Sequence, residues 1–165
     1  MLRPVNNIRQ WFLASLLLLT ALACTTTTSD PTPAASSRVR SNASEYARLL
    51  SARTTYGGTP FEIKGVSRNG STLIIDVFGG CLDQDYSVVW DGTVRESNPI
   101  QISLMALYEL TAQVQCAATL RHTITVDLKK LMGTAYQENM YVSVGNASKP
   151  VDHVIDPSGT VTIRK

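Results

Sequence analysis

The chain is poor in the residue patterns that catalysis, metal binding or nucleic-acid binding require. It has only three cysteines and two histidines among 165 residues. No pair of cysteines forms a C-x-x-C and the histidines are far apart, so the closely spaced ligand pairs of a zinc site are missing. Serines are frequent, yet none sits in a G-x-S-x-G elbow or an S-x-x-K arrangement, which leaves no nucleophile with an evident activator. There is no block of lysine and arginine, and affinity for nucleic acid comes mostly from phosphate neutralisation. The longest apolar run, Trp11 to Ala23, is 13 residues, too short for a bilayer core that needs ~20. No repeat of fixed period is visible.

What the N-terminal part does contain is an export signal. Arg3 and Arg9 precede the apolar run, and small residues precede Cys24, the tripartite order of a cleaved signal. Ala21-Leu22-Ala23 fits small-x-small cleavage, and Ala21-Leu22-Ala23-Cys24 resembles the lipobox of bacterial lipoproteins. It departs from that pattern in having Ala21 where leucine is usual and Leu22 where a small residue is usual. Either cleavage makes residues 1–23 the signal peptide and Cys24 the first mature residue. The lipobox resemblance implies a diacylglyceryl thioether with an N-acyl chain on Cys24. One acyl chain holds weakly and two or more hold stably, at ~0.8 kcal/mol per buried methylene. The expected location is the bacterial cell envelope, anchored by lipid at the outer membrane, or outside the cell if Cys24 is not acylated. The membrane is then a partner through Cys24; a protein or glycan partner is not specified, and no cofactor is indicated.

Removing residues 1–23 leaves 142 residues, enough for one core. Arg3 and Arg9 depart with the signal, so lysine plus arginine falls from 15 to 13 against 13 acidic residues. The mature chain is formally neutral. With Cys24 assigned to lipid, Cys81 and Cys116 remain as an even pair in an oxidising compartment, and a disulfide between them is predicted. Closing a loop of that length is expected to contribute ~4 kcal/mol on the chain-entropy model.

Residues 24–43 are mostly Thr, Ser, Pro and Ala with only Val39 to bury, which predicts a disordered tether spanning ~25 Å root-mean-square. Residues 44–165 are expected to form a single domain. Tyr46, Leu49, Leu50 and Arg53 recur at near-helical spacing, with Ser44 as the expected cap of a short helix over 44–54 and an edge strand as the rival reading. From Phe61 the period changes to two. Seven strands are predicted, at 61–66, 73–78, 86–90, 100–108, 118–128, 140–144 and 160–163, with Asn69-Gly70 as a hairpin turn. In 118–128, Leu120, Ile124, Val126 and Leu128 share one face; in the last strand Val161 and Ile163 are expected to face inward. The fold class read from this is all-β, an antiparallel immunoglobulin-like sandwich with one short N-terminal helix.

Several residues carry candidate chemistry. Gly79-Gly80 before Cys81 permits a close backbone approach, read as aiming Cys81 at Cys116. Asp83, Asp85 and Asp91 lack the rest of a calcium loop and read as solvated turn carboxylates. His122 falls on the apolar face of its strand, and His153 lies near Asp152 and Asp156 in what reads as a C-terminal loop. A hydrolase would need one of these histidines within reach of a serine or carboxylate. A glycan or small-ligand module would use Tyr86, Trp90 and Tyr108 as stacking faces, although alternation predicts burial of Trp90. Asn42-Ala43-Ser44, Asn69-Gly70-Ser71 and Asn146-Ala147-Ser148 match the glycosylation acceptor pattern and read as turn residues.

Phe78-Gly79-Gly80-Cys81, then Tyr86, Trp90-Asp91-Gly92, Glu96-Ser97, Pro99, Cys116 and Asp127-Leu128, resemble a group of small uncharacterised bacterial lipoproteins, loosely NigD-like, over roughly residues 61–130. The group often has a histidine three positions after the first cysteine and an aspartate just before the second, where this chain has Gln84 and Gln115. The resemblance implies the cysteine pair and strand pattern and supplies no reaction. The function expected is a non-enzymatic, membrane-anchored structural or interaction module.

Overall fold

A computed structural model describes residues 38–56, 59–80, 86–109 and 120–165. The signal, Cys24, the pair Cys81 and Cys116, Asp83 and Asp85 lie outside the described residues. The elements are β1 (Arg38–Ser41), α1 (Ala43–Ala52), β2 (Glu62–Asn69), β3 (Thr72–Phe78), β4 (Tyr86–Trp90), β5 (Ile100–Tyr108), β6 (Arg121–Asp127), α2 (Leu128–Met132), β7 (Met140–Asn146), β8 (Asp152–Ile155) and β9 (Val161–Arg164). The fold is all-β in class, with two sheets. One has six strands in the order β1-β4-β5-β7-β8-β9 and the other three in the order β2-β3-β6.

The three-stranded sheet supplies Ile63, Val66, Leu73, Ile75, Val77, Ile124 and Val126 to a core completed by Tyr86, Val88, Trp90, Ile102, Leu104, Val142, Val144 and Ile155 from the larger sheet. This is period-two patterning at work, alternate residues of each strand meeting those of the facing sheet. The central strands are buried on their other face as well, because α1 covers it. Leu49 packs there with Val89, Met105, Leu107 and Ala147.

Several expectations are corrected. Pairings β1·β4 and β5·β7 run parallel, against an antiparallel expectation that the other five pairings meet. Direction depends on which strands become neighbours, a matter the local pattern does not encode. The sheet starts earlier than the expected end of the tether at residue 43. Val39, the one apolar residue there, packs on the core, and β1 pairs with β4 from Arg38 to Ser41. The helix is capped by Asn42, whose Oδ1 accepts from Glu45 N at 3.0 Å, rather than by Ser44. Of the expected strand 118–128, 118 and 119 lie outside the described residues and β6 keeps Arg121–Asp127; Leu120 is exposed, and Leu128, buried as expected, begins α2 because the Asp127 side chain accepts from Lys130 N and caps that helix.

The expected hairpin is present: Asn69 pairs with Thr72 across Gly70 and Ser71. Gly79 and Gly80 sit where chain segments approach closely. A Cβ at Gly79 would lie 2.8 Å from Phe61 Cβ, and one at Gly80, whose φ is +67°, would enter the Tyr108 ring. Tyr86 Oη donates to Gly79 O at 2.7 Å, fixing the same corner.

A basic groove at the open side of the sandwich

The large sheet is wider than the small one, and β9 lies at its end beyond β8. His153 pairs with Val144 on one side and Ile163 on the other; Ile155 likewise pairs with Val142 and Val161. All six side chains therefore share the inner face of the sheet. Val142, Val144 and Ile155 are in the core, but Val161 is 36% and Ile163 57% exposed. The sequence placed these two on the correct common face; that face overhangs the edge strand β2 and loses its cover. The inward expectation for Val161 and Ile163 is corrected on that ground.

The overhang and the edge of β2 bound a groove of about 410 Å³. Ile63, Val151 and Ile163 give it apolar surface, while Glu62, Lys64, Lys149 and Lys165 supply charge. Local hydrogen bonding holds its end wall. Asn146, buried at 2% exposure, donates from Nδ2 to Phe61 O at 2.9 Å and accepts at Oδ1 from Ser148 N at 2.8 Å. Phe61 N in turn donates to Ser148 Oγ at 3.2 Å. The start of β2 is thereby clipped to the turn between β7 and β8, which brings Glu62 and Lys64 beside Lys149. Glu62 accepts from Lys149 Nζ at 2.9 Å and also from Lys64 Nζ. Those two ammonium groups, the Lys64 hydrogen bond first, pull the Glu62 carboxyl down to about 2.

His153 lines this groove. It lies within β8, correcting its expected place in a loop; Asp152-His153-Val154-Ile155 does not alternate apolar with polar, so no strand registers there. The residue is 5% exposed, and its Nδ1 is buried without a hydrogen-bond partner. Burial pushes its pKa below 6.5, against the opposing pull of Asp152, so the ring is neutral at pH 7. A bare buried acceptor is tolerated better than an orphaned buried N–H. The favoured tautomer therefore carries its proton on Nε2.

The other candidates are placed elsewhere. His122 is buried on β6, with its ring 5.4 Å from that of Tyr86 on β4. In the large sheet, β5 and β7 stand between β4 and β8, three spacings of ~4.8 Å each. The two histidines therefore do not form one site. The Asp152 side chain is held by Arg53 at 2.7 Å and is not a partner of the His153 ring. Tyr86, Trp90 and Tyr108 are buried and offer no open stacking faces, which removes that form of the ligand-module reading. Among the described residues no group of three or more His, Cys, Asp or Glu could hold a metal ion. No helix there is long and apolar enough to cross a membrane.

A second, smaller depression of about 260 Å³ lies beside the turn 156–159, with Arg68 and Glu138. Its Asp156 carboxylate accepts from Ser158 N, Ser158 Oγ and Thr160 N, so it is spent on its own turn.

Sequence reasoning missed the groove because its parts come from β2, a turn, β8 and β9. The nearest signal was the pair Val161 and Ile163 followed by Arg164-Lys165, an apolar alternation running into charge. Comparison of the chain with protein-family models, with curated proteins and with solved structures gives no match.

Proposed function

We propose that this protein is a lipid-anchored, non-enzymatic binding module of the bacterial envelope, held at the outer membrane through Cys24, whose working surface is the groove beside β9. The reading is supported chiefly by one observation: Ile163 lies 57% exposed on a sheet face it shares with the buried, unpartnered His153. With Val161, 36% exposed on the same face of β9, Ile163 forms adjoining uncovered apolar surface beside the groove. In the same reading Cys81 and Cys116 form a disulfide, and the chain is related to the NigD-like lipoproteins. The two facing sheets are taken as an immunoglobulin-like sandwich modified by parallel pairing between β5 and β7.

The anchor is tested by intact mass and membrane fractionation of the native protein beside Cys24→Ser. Acyl mass and membrane retention, both lost on substitution, are expected; a wild-type protein without acyl mass and recovered in the soluble fraction would remove the anchor. Thiol titration of the unfolded, unreduced protein is expected to show no free Cys81 or Cys116. The binding surface is tested by amide chemical-shift mapping with a panel of charged and apolar probes. Shifts clustering at Ile63, Val151, His153 and Ile163 are expected. A panel that leaves these residues unmoved counts against the groove.

A further inference from the structure

We propose that the groove beside β9 binds a single-chain amphiphilic carboxylate, its alkyl chain on Ile63, Val151 and Ile163 and its head group on the lysine rim. The inference rests on the binding-module reading and names the class of ligand. Size comes first. About 410 Å³ falls within the ~300–1,000 Å³ of small-molecule sites, and the space lies along a sheet overhang, which suits an extended chain.

The chemistry of the head group follows from the polar atoms. The Lys64, Lys149 and Lys165 side chains present only donors, and the single side-chain carboxylate of the lining, Glu62, is bonded to two of them. Counted over side chains, ammonium groups outnumber carboxylates on the rim three to one. Neutral His153 adds a donor at Nε2 and has no accepting partner for it among the described hydrogen bonds. A ligand that brings acceptors and negative charge matches this set; a cation does not, and a neutral sugar, whose hydroxyls can accept, leaves the ammonium charge uncompensated. The exposed Ile163 and half-buried Val151 then require an apolar segment next to the charge. Side-chain ammoniums paired at an exposed surface are worth little individually, so head-group selectivity comes from their convergence beside apolar surface.

The test uses the exported Cys24→Ser protein, purified without detergent, and calorimetric titration with hexanoate, octanoate and decanoate. Affinity should rise about threefold to fourfold per methylene, as burial of the chain requires. Decanol should bind at least about tenfold more weakly than decanoate. Lys64→Glu with Lys165→Glu should lower decanoate affinity about tenfold and leave decanol unchanged. Ile163→Asp should weaken both, and the exposed positions of these three residues leave the fold in place, as a circular dichroism melt would verify. Decanoate should also move the His153 ring signals, which decanol should leave in place. Equal affinity for decanoate and decanol, or decanoate affinity untouched by the charge reversals, overturns the proposal. Dodecyl phosphate or an acidic peptide shifting the groove amides while decanoate does not would overturn the ligand class and leave the binding module standing. Absence of any groove response to all these probes overturns both.

Discussion

Arg53, just past the end of α1, donates from Nη2 to Asp152 Oδ1 at 2.7 Å, joining the helix to β8 across 99 residues. The same guanidinium gathers the carbonyls of Asn146, Lys149 and Val151 at 3.0, 3.0 and 2.7 Å. It is 7% exposed, so its fork satisfies one buried and two part-buried backbone acceptors. Arg53→Met is expected to destabilise by about 2–4 kcal/mol, since one partner of a buried ionic hydrogen-bond set is removed and the others are orphaned. Arg53→Lys should recover little, because a point ammonium cannot match the planar fork. Urea midpoints of the three proteins check this; an Arg53→Met midpoint equal to wild type would show that the turn is held by other means.

Asn146 carries the other side of that turn. Its amide joins Phe61 O to the Ser148 backbone, so Asn146→Ala leaves the Ser148 N–H unsatisfied and Phe61 O with the Ser148 hydroxyl as its remaining side-chain donor. A loss of about 2 kcal/mol is expected. Because the turn also forms the groove wall, the amide shifts of Glu62 and Lys64 should move in this variant even below its melting range. The glycosylation-like triplet at 146–148 is thus a buried turn, with no accessible side-chain amide.

The sequence was most legible where an apolar alternation was closed at both ends by turn residues. β4 and β5 have the bounds that Tyr86, Val88 and Trp90, and then Ile100, Ile102 and Leu104, predict. β1 and β8 were not legible, because Arg38–Ser41 has a single apolar residue and Asp152–Ile155 does not alternate, whereas β9, equally short, was legible from Val161 and Ile163. For Val161 and Ile163, periodicity identified the shared face correctly and could not say whether another layer reaches it. That last step depends on the relative width of the two sheets. The groove follows from the same mismatch, and this is why no single stretch of sequence announced it.

Gly70 and Gly80 allow backbone strain and steric overlap to be separated. Both have positive φ, +57° and +67°, but a Cβ at Gly70 would meet nothing within 4 Å while one at Gly80 would enter the Tyr108 ring. Each alanine variant costs about 1–2 kcal/mol for the left-handed conformation. Gly80→Ala should cost about 2 kcal/mol more, as overpacking of a filled core does. Equal midpoints for the two variants would mean that Tyr108 swings aside freely.

His153 makes stability depend on pH in a direction that can be worked out. Burial holds its folded pKa below 6.5, so as pH falls through 6.5 the unfolded chain takes up the proton first. Stability rises with pH wherever the unfolded state binds more protons. The contribution of neutral His153 is therefore fully present above about pH 7 and declines below 6.5 until the folded pKa is reached. The decline can be no steeper than about 1.4 kcal/mol per pH unit for one proton. Burial is the larger cause of the shift and Asp152 opposes it. His153→Gln should flatten the unfolding free energy between pH 7 and 5.5, measured by urea titration at several pH values. Adding decanoate to the wild type should also flatten it, because a carboxylate beside the ring favours the imidazolium. A pH slope that survives His153→Gln unchanged would assign the titration to another group.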